Sequence, residues 1–354
     1  MQVKRLKLHN FRNIENSEFL FDEKINVISG ENAQGKTNIL ESIWLFCGAK
    51  SFRYSKDAVF VKLGEKEGFS EIDFISGGTE RNCVMKFGET RTAVLDGKPL
   101  KSPSALAGVF GAVVFSPADL SLISGGPEKR RRFIDLSIGQ LYPNYVDILR
   151  SYSRAVMQRN RIIKEYKYDP SVSIMLDVFE SEIAEKGIKI TEYRKSFLER
   201  LNRFVPSVFY GLSGGREEIM ALYVAKTDAI MLAEELKKAR KEDSLAGVTS
   251  AGPHRDDIDF LINGISARLY GSQGQKRSVA ITLKLAGLNV ANEISGEYPV
   301  CLLDDVLSEL DGERQNYILN HVKEWQTFIT CCDPQSVTRL LGGRVFNVKD
   351  GRVI

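Results

Sequence analysis

The segment Gly30-Glu31-Asn32-Ala33-Gln34-Gly35-Lys36-Thr37 constrains this chain more than any other. It fits G-x-x-x-x-G-K-[ST], a loop whose glycines let backbone amides wrap phosphates. Its lysine meets the terminal phosphates and its threonine hydroxyl binds Mg²⁺. The pattern carries meaning only between a strand and a helix, and the flanks supply both. Ile25-Asn26-Val27-Ile28 is a short buried-type strand. Beyond the loop, Ile39, Leu40, Ile43, Trp44 and Cys47 recur at helical spacing until Gly48, a usual helix stop. Such a site needs an acidic residue at the end of a second hydrophobic strand. Cys301-Leu302-Leu303-Asp304-Asp305 supplies it, with Asp304 placed to hold Mg²⁺ and Asp305 the candidate catalytic base beside Lys36. ATP and Mg²⁺ are the expected cofactors.

Around this site the chain falls into three stretches. Residues 1–115 are rich in strand signals, with Val3, Leu6 and Leu8 near alternation. Residues 116–249 carry long helical patterns, such as 145–167 and 176–204, broken by Pro127, Pro143, Pro170, Pro206 and Gly214-Gly215. After Gly252 the strand signals return at 258–262, 300–303 and 328–330. An α/β ATPase lobe built from 1–115 plus 250–354 and split by a helical lobe at 116–249 accounts for this order. No long coiled coil fits in the insertion, since even an unbroken 45-residue helix spans only about 68 Å.

With 354 residues and 43% hydrophobic composition, a substantial core is expected. The start MQVKRLKLHNFRN lacks an apolar signal stretch, and no later run approaches the roughly 18 apolar residues of a membrane span. Five scattered cysteines and three histidines give neither a disulfide framework nor a zinc spacing, so a reducing cytoplasm is expected. A net charge of +3 says little about nucleic acid, and the case rests on where the cations lie. Lys129-Arg130-Arg131-Arg132 is the sharpest cluster. Arg150, Arg154, Arg159, Arg161, Lys164 and Lys167 follow it against a single acid, Glu165, with Arg150, Arg154 and Arg161 near one side of a helix. Phosphate-backbone contact suits these residues, and without aromatic interleaving they favour duplex or a duplex/single-strand junction over pure single strands.

Ser272-Gln273-Gly274-Gln275 lies upstream of the acidic strand and resembles the signature motif of ABC ATPases, while Ser308-Glu309-Leu310-Asp311 is similar to their D-loop. Within that superfamily the whole chain resembles the RecF family. The carrying segments are Leu8 to Asn13, Gly30 to Asn38, Phe115 to Leu120, Gly125 to Asp135, Gln158-Arg159-Asn160, Gly252-Pro253-His254-Arg255-Asp256-Asp257 and Leu303 to Asp311. The resemblance implies an ABC-type head in which the signature residues Ser272 and Gly274 of one subunit reach the γ-phosphate held by the other, with Gln275 and Asp311 also among the nucleotide-binding residues. It further implies an ATP-dependent homodimer that binds DNA at gaps in recombinational repair and acts with RecR and RecO to promote RecA loading.

Two departures bear on mechanism. Transport-type ABC ATPases carry glutamate where Asp305 stands, which implies slow hydrolysis. Where many relatives place a switch histidine, this chain has Thr330-Cys331-Cys332-Asp333, leaving Thr330 or Asp333 as candidates, and Gln140 as a Q-loop candidate. Three readings compete. An ABC transporter's ATPase subunit usually keeps its lysine loop and signature closer together than Lys36 and Ser272. A P-loop kinase or GTPase would show an acceptor pocket or an N-K-x-D motif, and neither is visible. An ATP-binding clamp without useful hydrolysis is kept open by Asp305. Of the isolated residues, Arg12 and Arg255 suit a phosphate or a carboxylate equally, His254 suits a packed turn, and Trp44 and Trp325 suit packing.

Overall fold

Residues 1–53, 57–166, 168–215 and 217–353 are described by a computed structural model, and Lys167 lies outside them. The chain divides into one unit of Met1–Asp119, Gly211–Gly215 and Ile281–Ile354, and another of Leu120–Tyr210 and Arg216–Ala280.

The first unit is built on two sheets. An antiparallel sheet runs in the order Ile14–Leu20, Gln2–Phe11, Gly68–Ser76, Thr79–Phe87, Thr92–Leu95, Lys98–Pro99. Val3 and Leu6 both point inward although three residues apart, because a bulge between Val3 and Arg5 shifts the register. The second sheet runs Arg352–Val353, Arg344–Lys349, Ile25–Ser29, Thr327–Cys331, Val300–Asp304, Ala112–Phe115, parallel except at its first strand. Its three central strands are buried along their whole length, as expected of parallel strands covered on both faces. Phe19 and Phe21 of the N-terminal hairpin meet Phe328 and Phe346 of this sheet at centroid distances of 4.7 to 5.6 Å. Gln326 adds a polar stitch, accepting from Val3 N at 2.6 Å and donating to Val3 O at 2.7 Å as a neighbouring strand would. The helix Lys36–Leu45 buries Ile39, Leu40, Ile43 and Trp44, the face that its sequence periodicity marks.

The second unit is largely helical, with Pro127–Leu141, Pro143–Tyr166 and most of Ser173–Ser213. The last helix has 41 residues and runs through Pro206, which from sequence is expected to punctuate it. Pro206 lies on the exposed side, and the single backbone bond it removes costs about 3 kcal/mol in a helix supported over many turns. Beside the helices stands a sheet ordered Ile265–Ser266, Asp257–Ile262, Ile219–Val224. It captures the strand at 258–262, so the unit boundary falls at Ile281 rather than at 250. On the edge strand, Ala221 gives its N–H to Asn202 Oδ1 and its carbonyl to Asn202 Nδ2, both at 2.8 Å.

The segment Gly252–Asp257 knots this unit together. Arg194 reaches Pro253 O at 2.7 Å, Tyr223 and the Lys226 amide reach Asp256, and Arg130 reaches Asp257. His254 is held between Thr249 O at 3.0 Å and the Tyr152 hydroxyl at 2.6 Å. A carbonyl only accepts, so Nε2 carries the ring proton and Nδ1 accepts from Tyr152. Burial lowers the His254 pKa to about 4. The unfolded chain therefore binds the extra proton between about pH 6.5 and 4 and the folded chain does not, so stability is full above that window and is lost as pH falls through it. Between pH 7.5 and 5 the expected loss is about 2 kcal/mol, and it is smaller in His254→Gln. Urea midpoints at pH 7.5 and 5 check this, and an equal pH dependence in both proteins would contradict it.

Candidate nucleotide-binding site

The loop between Ile25–Ser29 and Lys36–Leu45 uses backbone that its sequence makes possible. Gly30 has φ +153°, and a Cβ there would lie 2.3 Å from Val348 O. Gly35 has φ +109°, and its Cβ would meet Asn13 Oδ1 at 2.9 Å. Neither position accommodates a side chain. The rim is tied down from outside, where Gln34 Oε1 accepts from Asp350 N at 2.6 Å and Gln34 O accepts from Gly351 N at 3.1 Å. Lys36 is only 7% exposed and lays its ammonium inside the loop, donating to Gly30 O at 2.5 Å and Glu31 O at 3.0 Å.

Facing the loop, the acidic strand ends at Asp304, which is 6% exposed. Its Oδ1 accepts from Thr37 Oγ1 at 2.9 Å and from Thr330 Oγ1 at 3.0 Å. Burial raises the Asp304 pKa, and the two hydroxyl donors act against that shift. A carboxylate beside a hydroxyl at the opening of a helix is a hard-oxygen donor set that suits Mg²⁺. Asp305 follows with φ +53°, left-handed, which takes it out of the strand direction.

Ser272 and Gln275 form a reciprocal capping box at the start of Gln273–Ser295. The Ser272 N–H donates to Gln275 Oε1 at 2.7 Å and the Gln275 N–H donates to Ser272 Oγ at 3.2 Å. Gln275 also reaches Glu217 at 2.5 Å. Asp311 caps Gly312–Val322, accepting from Arg314 N at 3.0 Å. Ser272, Gly274 and Gln275 belong to the second unit, Asp311 to the first.

The family described as RecF/RecN/SMC N terminal domain matches residues 2–349. "DNA replication and repair protein RecF" of Agathobacter rectalis is 40% identical, with 100% of this chain and 99% of that protein covered. The protein of the same name from Lachnospira eligens is 39% identical over the same shares. The chain belongs to the RecF family. A solved structure of the recombination mediator protein RecF with ATP in the RecFOR pathway superposes with TM-score 0.92 at 34% identity, covering 100% of this chain and 97% of that one. An Smc head domain from Pyrococcus furiosus shares the fold alone, at TM-score 0.59 and 16% identity. RecF membership sets aside the transporter-subunit reading. Among the described residues no helix is long and apolar enough to cross a membrane.

Within this RecF-family chain the basic segments divide. Arg130, expected on a DNA-facing surface, is 1% exposed, paired with Asp257 at 2.7 and 3.0 Å and bonded to Ile123 O and Gly125 O. Arg159 is equally interior, held by Glu180, Asp243, Thr249 and Leu236 O. Both are structural. Arg131 donates to Asp256 O at 2.5 Å and is half-buried, as are Lys129 and Arg132. Arg150, Arg154, Arg161 and Lys164 are exposed on the face of Pro143–Tyr166 opposite Tyr152, Ala155, Ile162 and Ile163. Arg12 pairs in two bonds with buried Glu41, Arg255 donates to Thr249 O, and Trp44 and Trp325 are buried. Asp333 accepts from Gln335 N at 2.9 Å just before the helix Gln335–Leu341, and Gln140 lies in Pro127–Leu141.

Two further residues sit at the site without having been given a role from sequence. Cys332 Sγ lies 3.6 Å from Lys36 Nζ and 3.4 Å from Asn32 Oδ1, and Asn13 bonds Asn38 at 2.7 Å. Asn13 ends the family-carrying segment Leu8 to Asn13 and Cys332 lies in the segment that takes the place of a switch histidine, but sequence assigns a role to neither.

Proposed function

We propose that the chain is a cytoplasmic ATPase that binds ATP with Mg²⁺, pairs with a second copy of itself, and closes on DNA at duplex/single-strand junctions. There it acts with RecR and RecO to help RecA load. The contact that carries this reading is Thr37 Oγ1 to Asp304 Oδ1 at 2.9 Å, which joins the phosphate loop to the acidic strand. Gly30, Glu31, Asn32, Ala33, Gln34 and Gly35 present the loop's backbone to the phosphates, Lys36 meets the terminal ones, and Thr37 and Asp304 hold the metal. When bound, ATP supplies the phosphoryl bond that water cleaves.

Asp305 orients and deprotonates that water. Its side chain is one carbon shorter than glutamate, about 1.5 Å, which supports slow turnover suited to opening a clamp rather than to sustained cycling. Ser272 already accepts from the Gln275 amide, so its own proton remains to donate to a phosphate oxygen of the partner's nucleotide. Gly274, Gln275 and Asp311 complete that contact. DNA phosphates meet Arg150, Arg154, Arg161 and Lys164, with Lys129, Arg131 and Arg132 contributing and Arg130 removed from the set.

Mass by light scattering tests this, with and without ATP and Mg²⁺ and then with a gapped duplex. The mass is expected to double with ATP, Ser272→Arg is expected to bind ATP but stay monomeric, and Arg154→Ala with Arg161→Ala to dimerise yet lower the salt slope of DNA binding by about 1 to 2. A wild-type monomer at saturating ATP would overturn the dimer.

A further inference from the structure

Between the phosphate-loop strand and the acidic strand runs Thr327–Cys331, parallel to both, with Thr330 opposite Ile28 on one side and Asp304 on the other. Thr330 is 2% exposed and its side chain carries a single hydroxyl proton. That proton goes to Asp304 Oδ1 at 3.0 Å, the Leu303 carbonyl being farther at 3.4 Å, while the oxygen accepts the Asp305 N–H at 2.9 Å. One uncharged group thus touches both acidic residues, the first through its carboxylate and the second through its backbone.

The consequence is local and geometric. In a parallel ladder a backbone carbonyl of the neighbouring strand would take the next amide and carry the chain straight on. Here a side chain takes it, and Asp305 turns to φ +53°, a conformation reached by few residues other than glycine, asparagine and aspartate. The same hydroxyl, together with Thr37, fixes which oxygen of Asp304 faces the phosphate loop.

The geometry points to Thr330 as the positioning residue for hydrolysis: it ends the strand at Asp304, aims that carboxylate at Thr37 and turns Asp305 toward the place where water attacks. It acts through the two aspartates and needs no contact with nucleotide. This rests on the role given above to Asp305.

Thr330→Val keeps the shape and β-branching of the side chain and removes the hydroxyl. In the full-length protein without nucleotide, hydrogen exchange at the Asp305 amide, read after selective ¹⁵N-aspartate labelling, is expected to speed up about tenfold. With ATP, kcat is expected to fall about 10- to 100-fold while KM stays within about twofold, because the loss falls on an interaction that serves the transition state. Thr330→Ser restores both readouts. In an Asp305→Asn background, Thr330→Val adds less than about a twofold loss, the signature of two residues acting as one unit.

If Asp305→Asn itself keeps wild-type kcat, the assignment of Asp305 as base fails and this proposal falls with it. If Asp305→Asn loses kcat while Thr330→Val keeps both kcat and a protected Asp305 amide, the positioning role alone is overturned, as it is if Thr330→Ser rescues neither. Should the valine variant not fold, Thr330→Ala carries the same expectations.

Discussion

Lys36→Ala loses ATP affinity by about 100-fold or more, the largest effect expected of any single substitution at the nucleotide site. The Lys36 ammonium sits within the glycine loop, where its donors already satisfy two carbonyls, and it is the cation there that a polyphosphate would meet. Two charge-assisted bonds at about 1.5 to 3 kcal/mol each correspond to that range or beyond it. Lys36→Arg recovers only part of the affinity, since a planar fork fits poorly where a compact ammonium is cradled. Fluorescence titration with a labelled ATP measures the loss, and near-normal affinity in Lys36→Ala would remove the loop from nucleotide binding.

The second large effect concerns the interior of the helical unit. Arg159→Met is expected to cost about 3 to 5 kcal/mol, enough to lower Tm by roughly 10 °C for a unit of this size. Glu180 keeps Arg240 as a partner at 2.5 Å, but among the described residues Asp243, 1% exposed, keeps the Ser250 amide at 3.1 Å and no cation. A buried carboxylate left without its cationic partner carries an uncompensated desolvation cost. Arg159→Met with Asp243→Asn should recover much of the loss. A Tm within a degree or two of wild type would show that this network carries little of the fold.

These two residues also show where sequence is legible. The phosphate loop, the helix after it and the acidic strand were readable because their signals are local: glycines at fixed offsets, a helical period, and a short apolar run ending in aspartate. Whether a basic residue faces solvent is set by partners far along the chain. Arg130 finds Asp257 127 residues away and Arg159 finds Asp243 84 residues away, so both look in sequence like Arg154, which is exposed. The strand Asp257–Ile262 posed the same problem. Its alternation marks a half-buried strand, but only the pairing with Ile219–Val224 decides which sheet receives it. Thr330 is a third case: its position in sequence makes it a switch candidate, but the bond of its hydroxyl to Asp304 depends on a neighbour in space that sequence does not show.

The edge of the small sheet has a consequence beyond the fold of one molecule. Ile219–Val224 turns Met220, Leu222 and Val224 to solvent and, among the described residues, has no strand on its outer side, a combination that invites another chain to add itself there. Asn202 occupies that edge at Ala221 with both hydrogen bonds that an intruding strand would need. A single amide on a long helix thus acts as a gatekeeper against self-templated association. The chain's own side chain already fills backbone groups at Ala221 that a second strand would otherwise pair with.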